Sequence, residues 1–236
     1  MSAMETHDYD TAGRIGLGVP QANPTVEAEM RRLLPIDVGY ATVRLVSQAG
    51  DPHQRLVDYI ERLDRDLDRF DTMALDAFAF ACTGSSYLVG AQREADIVAD
   101  IEAKRGYPVI TATAAIRQQL DALGARSIAV IAPYPEPLFS AGLDYWRAAG
   151  FTVAAASRVD IGGADTRAIY DLTAGDARRV LETLDLDGAD VVLLSGTGMP
   201  TLDLIANPPA AMTAPVVSSN HCLAQACLRR IGRAGE

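Results

Sequence analysis

Short continuous apolar runs recur along the chain, separated by segments whose apolar residues repeat every three or four positions. "RIGLGVP" at 14–20, "VGYATVRLV" at 38–46, "ALDAFAFAC" at 74–82 and "YPVITA" at 107–112 read as strands. Between them, "NPTVEAEMRRLL" at 23–34, "PHQRLVDYIERLDRDLDRF" at 52–70 and "QREADIVADIEAKRG" at 92–106 read as helices. Leu56, Ile60 and Leu63 keep the helical period, and Gly106 closes the third. A helix with Ile116 and Leu120 ends this series. The pattern restarts with "ARSIAVIAPY" at 125–134, a helix closing at Gly150, "FTVAAASRV" at 151–159, a partly helical stretch at 165–185 and "ADVVLLSGTG" at 189–198. A short strand and a final helix lie in "APVVSSNHCLAQACLRRIG".

Strands alternating with helices at this spacing predict parallel sheets covered on both faces, because a strand buried on both sides is continuously apolar. The chain divides into two similar halves near residue 120. The expected organisation is an α/β fold of two pseudo-symmetric three-layer subdomains. The first spans 14–120 and the second 121–236, with a C-terminal helix able to pack back on the first half. The polar, acidic stretch 1–13 is expected to be a disordered lead. Each half has a strand that runs into a turn of small residues, "AFACTGSS" and "LLSGTGMP". Ligands in open α/β sheets bind beyond the carboxyl ends of strands. Two facing halves therefore place both turns at one cleft, the expected active site.

The 236 residues are 49% hydrophobic and 22% charged, an ordinary globular composition. No apolar run approaches the roughly 20 residues of a membrane span. The N-terminus lacks a secretory signal, which points to the cytoplasm. The net charge of -10, with Lys and Arg scattered, disfavours nucleic acid as a partner. A small anion remains compatible, since a local nest of backbone N–H groups can outweigh the global sign. Cys82, Cys222 and Cys227 form neither a disulfide framework nor a metal-ligand spacing. No metal or cofactor is expected. "GLGVPQ" lacks the third glycine of a dinucleotide fingerprint, and no GKS or GKT occurs.

Candidate chemistry centres on "CTGSS" at 82–86. A thiol beside a helix N-terminus or a nest of N–H donors is expected to ionise more readily than at its free value of about 8.5. The same donors can hold a carboxylate. An inert buried cysteine closing a strand is the plain alternative. "SGTGMP" provides a second cradle from Ser195, Gly196, Thr197 and Gly198, and its plain alternative is a glycine-rich loop. Asn23 follows the first strand, where capping before Pro24 would explain it. Tyr134 follows a strand, where a turn between prolines would explain it. Capping also explains Ser218, Ser219 and Asn220.

Together, "GVPQANPTVEAEM", "ACTGSSYLVG", "IAVIAPYPEPLF", "LLSGTGMPTLDLI" and "PVVSSN" resemble the maleate cis-trans isomerase and arylmalonate decarboxylase family, within the aspartate/glutamate racemase superfamily. The resemblance spans about residues 14 to 232. It implies a cofactor-independent enzyme acting on a small carboxylic acid, with homo-oligomers common. Racemases and maleate isomerases of this group use two cysteines. Arylmalonate decarboxylases keep one, in the second turn, with glycine in the first. Here Cys82 stands in the first turn and Gly196 in the second, the mirror of the decarboxylase.

Two single-thiol mechanisms are compatible with the resemblance. Maleate-type cis-trans isomerisation would proceed by transient addition of the Cys82 thiolate. Decarboxylation of a substituted malonate would use Cys82 as proton donor. The resemblance assigns Asn23, Thr83, Tyr134 and Thr197 to the carboxylates, with Ser85, Ser195 and Gly198 as further members. Gly84 and Gly196 would set pocket size. A non-catalytic small-acid binding protein and a redox-sensing thiol protein are the readings from other classes.

Overall fold

The computed structural model describes residues 8–210 and 212–233. Two parallel four-stranded sheets form its frame. The first contains β1 (Gly13–Pro20), β2 (Val38–Leu45), β3 (Ala77–Phe80) and β4 (Val109–Thr111), in the order β2-β1-β3-β4. The second contains β5 (Ser127–Ala132), β6 (Thr152–Arg158), β7 (Val191–Leu194) and β8 (Val216–Ser218), in the order β6-β5-β7-β8. The two orders are the same, so the expected α/β pseudo-symmetry is present. The central strands are apolar because both faces are covered: Ile15, Leu17, Val19 and every residue of β3 and β7 are buried.

The helices of the first half are α1 (Thr25–Leu33), α2 (Pro52–Glu61), α3 (Leu63–Leu67), α4 (Thr83–Arg105) and α5 (Ala112–Ala122). In the second half are α6 (Leu138–Ala148), α7 (Ala174–Thr183), α8 (Leu202–Ala206) and α9 (Ser219–Arg230). Helix α9 packs on α1 and α5 and reaches β3 and β4, so the chain's last helix covers the first sheet.

Some elements differ from the sequence pattern. The single helix expected over 52–70 is broken into α2, α3 and a 3-10 turn, Asp68–Phe70. Helix α4 begins at Thr83, immediately after Cys82, rather than near residue 92. The turn of small residues is thus the first turn of a long helix, which kinks at Gly90 (φ 79°). Of the expected disordered lead, residues 1–7 lie outside the described residues. In the described part, β1 begins at Gly13, the Ala12 N–H donates to the Asp37 carbonyl, and Arg14 pairs with Asp10 at 2.7 Å. These contacts extend the edge of the β1–β2 ladder beyond the apolar run.

Candidate active site

The order of each sheet reverses at its first and third strands, and the crevice between those two strands opens at their carboxyl ends. In the first half these ends present Asn23 and Cys82, and in the second Tyr134 and Thr197. The halves face each other, so all four line one cavity, together with Pro20, Leu56, Gly84, Gly198, Thr166, Ile169 and Tyr170.

Cys82 is the N-cap residue of α4 and is buried. The Ser85 hydroxyl lies 3.1 Å from its Sγ and 2.6 Å from the Leu56 carbonyl. The Thr83 and Tyr134 hydroxyls lie 2.5 Å apart. Asn23 Oδ1 accepts the Thr25 N–H at 2.9 Å, which leaves its amide nitrogen to reach Thr197 Oγ1 at 3.4 Å. The Thr197 hydroxyl donates to the Ala81 carbonyl at 2.8 Å, linking the second-half turn to the residue before the thiol.

The expectation of an easily ionised thiol is corrected. Burial pushes Cys82 above the ordinary thiol value, and hydrogen bonds from the Ser85 hydroxyl and from the Ser85 and Gly84 N–H groups offset only part of it. A helix N-terminus favours the thiolate, but withdrawing that charge from water costs more here. Tyr134 is likewise held well above its ordinary value, first by burial and then by the nearby Cys82. Tyr59 is pushed up to about 12 and Tyr170 is also raised, with burial first and Cys82 second in both cases. All three phenols therefore carry their protons at neutral pH.

Not every residue singled out in the sequence reaches the cavity wall. Thr83 and Ser85 sit behind it, in contact with Tyr134 and Cys82. Ser195 points elsewhere: its hydroxyl is 2.6 Å from that of Tyr87, which accepts the Trp146 indole N–H at 3.0 Å. Gly196 has φ +136°, and a Cβ there would lie 2.9 Å from Pro133 Cδ. A Cβ on Gly198 would lie 2.7 Å from the Tyr170 ring, so that glycine admits Tyr170 to the wall.

Thr166, Ile169 and Tyr170 were not foreseen. They belong to a 3-10 turn, Thr166–Asp171, that covers the site. Asp165 caps the turn and pairs with buried Arg55 of α2 at 2.5 Å, fastening the second half to the first. As it stands the cavity holds about 20 Å³, room for roughly one water molecule, so a larger ligand enters only as its wall yields. Glu29 was also unforeseen. It is buried and accepts the Thr201 N–H at 2.6 Å and the Asn220 amide at 2.8 Å, and that amide also donates to the Thr197 carbonyl at 3.0 Å. Among the described residues no group of acidic, cysteine and histidine side chains converges as a metal site, and no helix is long and apolar enough to cross a membrane.

The family model described as arylmalonate decarboxylase matches residues 15–236. A maleate isomerase of Pseudomonas putida is 27% identical over 232 residues, covering 92% of this chain and 91% of that protein. A structure of Nocardia farcinica maleate cis-trans isomerase, a cysteine-to-serine mutant with a covalently bound succinylcysteine intermediate, superposes with a TM-score of 0.82. It is 24% identical and covers 93% of each chain. A liganded arylmalonate decarboxylase with one glycine changed to cysteine and one cysteine to serine gives a TM-score of 0.79, at 21% identity and coverage of 95% and 94%.

Proposed function

The chain belongs to the arylmalonate decarboxylase family, and from that premise we propose that it is a cofactor-independent enzyme acting on a small dicarboxylic acid through Cys82, by maleate-type cis-trans isomerisation. One observation carries the reading. Among the described residues the only thiol on the cavity wall, Cys82, stands among uncharged donors, Asn23, Tyr134 and Thr197, drawn from both halves. Such donors suit a carboxylate whose charge grows during reaction, since they are already aimed and need no reorganisation.

In the proposed reaction the Cys82 thiolate adds to one alkene carbon of the cis-diacid. The alkene electron pair moves into the neighbouring carboxylate as an enediolate, held by the Tyr134 hydroxyl and the Asn23 amide. The former double bond is now single and rotates. The enediolate then reforms the alkene and expels the thiolate, giving the trans-diacid with no net proton transfer. The succinylcysteine captured in the Nocardia enzyme is what such an adduct becomes on protonation. Reduced thiols are needed throughout, which fits a cytoplasmic setting for the three free cysteines.

A second reading has its own support. A thiol held above its ordinary value keeps its proton, as a general acid must. A substituted malonate would lose carbon dioxide, the electron pair would pass into the remaining carboxylate, and the Cys82 proton would go to the carbanion carbon. Water then restores the thiol.

Turnover of maleate, substituted maleates, methylmalonate and arylmalonates in heavy water, followed by proton NMR, tests both. The wild type is compared with Cys82→Ala. Fumarate-type product without carbon dioxide, lost in the mutant, supports isomerisation. A monoacid deuterated in one configuration supports decarboxylation. No turnover, with ligand binding unchanged in Cys82→Ala, would leave a small-acid binding protein instead.

A further inference from the structure

Ser85 is completely buried and does not line the cavity. Its hydroxyl touches two groups: the Leu56 carbonyl at 2.6 Å and Cys82 Sγ at 3.1 Å. A hydroxyl has one proton and two lone pairs, so it cannot fully satisfy both neighbours as a donor. The carbonyl can only accept. The sulfur can donate as a thiol and only accept as a thiolate. The pattern of protons therefore depends on the state of the sulfur.

We propose that Ser85 is a catalytic residue that follows the charge of Cys82. Its proton rests on the Leu56 carbonyl while the thiol donates to Oγ, and it turns to Sγ when the thiolate forms. The inference rests on the reading of Cys82 as the reactive group and deepens it. The switch is a rotation of one O–H bond, with no heavy atom displaced. The Leu56 carbonyl lies within α2 and keeps a helical partner when the hydroxyl leaves it. The thiolate then has the Ser85 hydroxyl beside the backbone N–H groups of Gly84 and Ser85, a charge-assisted set that partly replaces lost water. In isomerisation the thiol proton passes to solvent water before substrate binds. In decarboxylation it passes to the carbanion carbon and water returns it.

The charge at Sγ depends on few other groups. The titratable groups facing it are Tyr59 from α2, Tyr134 from the end of β5 and Tyr170 from the 3-10 turn, all raised and neutral. Arg55 acts on Tyr59 and Tyr170 and is paired with Asp165.

The test is the pH dependence of Cys82 alkylation by iodoacetamide, located by peptide mass spectrometry, in the wild type, Ser85→Ala and Ser85→Thr. It needs no turnover, so it separates this inference from the proposed reaction. Loss of one hydrogen bond to a charged group predicts a midpoint about one to two pH units higher in Ser85→Ala, seen as roughly ten- to hundredfold slower alkylation below it. Ser85→Thr, which keeps the hydroxyl, should restore most of the rate. A folded Ser85→Ala with the wild-type profile overturns the proposal, as do equal shifts in both variants. The S–H Raman band of the wild type, identified by subtracting Cys82→Ala, gives a check that does not depend on Ser85 variants folding. A hydrogen-bonded donor band is expected, and a free-thiol band would overturn the resting arrangement.

Discussion

The Thr83 and Tyr134 hydroxyls meet at 2.5 Å across the two halves, one from the first turn of α4 and one from the end of β5. Both side chains are buried, and the phenol keeps its proton because burial holds it far above its ordinary value. Tyr134 is therefore a donor at every physiological pH. Tyr134→Phe should lower kcat about 10²–10³-fold, the usual effect of losing one oxyanion donor. It should also destabilise the fold by about 1–3 kcal/mol, because Thr83 loses a buried partner. Steady-state kinetics and urea unfolding measure the two effects separately. Unchanged kcat would remove Tyr134 from the proposed carboxylate cradle.

Gly196 stands in the second small-residue turn with its backbone at φ +136°. A side chain there is strained and pressed against Pro133. Gly196→Cys should therefore cost about 1–3 kcal/mol of stability and should not create racemase activity. Thermal unfolding beside Gly196→Ala checks the backbone argument, since both variants should fall by similar amounts. A Gly196→Cys protein as stable as the wild type would contradict it.

The Arg55–Asp165 pair holds the covering turn. Hydrogen bonds from Arg167, and then from Arg55, keep the Asp165 carboxyl below the usual carboxylate range. A depressed carboxylate stabilises the fold above its unfolded value of about 3.9 and loses that contribution as pH falls through the lower folded value. The latch should thus hold at neutral pH and fail only in acid. Arg55→Met removes it while keeping the Asp165–Arg167 pair, and trypsin cleavage after Arg167 at pH 8 should rise at least about tenfold, or ~1.4 kcal/mol of easier opening. Wild-type resistance in that variant would show that something else closes the site.

Alkali should weaken the protein. Cys222 and Cys227 are pushed up to about 12 by burial, and Cys82 is raised for the same reason. A raised group contributes its full stability below the unfolded thiol value of about 8.5 and loses it as pH climbs through the folded value. The urea midpoint should fall steadily from about pH 8.5 toward 12, more steeply above about 10 as the buried tyrosines join. Cys227→Ala should flatten the lower part of that decline, as urea titrations at pH 8, 9.5 and 11 would show.

What the sequence by itself determined was what depends on neighbours along the chain. Apolar runs and helical spacing are local, so the alternation of strands and helices, the two halves and the parallel sheets were legible. The position of Cys82 between an apolar strand and a small-residue turn was legible for the same reason. Grouping Asn23 and Tyr134 with Cys82 and Thr197 came from the family resemblance, since capping and turn roles explained each of them locally; the strand order that brings their strand ends together is seen in the structure.

Only the tertiary structure decided what those residues face. Whether a helix N-terminus lowers a thiol depends on how much water remains, and here the facing half and the 3-10 turn remove it. Arg55 and Asp165 are separated by 110 positions, and Glu29 meets Thr201 across 172. No periodicity links such pairs, because the contacts arise where one half's loops land on the other. Ser195 shows the converse. Its motif looked like a cradle, yet a hydroxyl's direction is set by the nearest buried partner, and for Ser195 that partner is Tyr87.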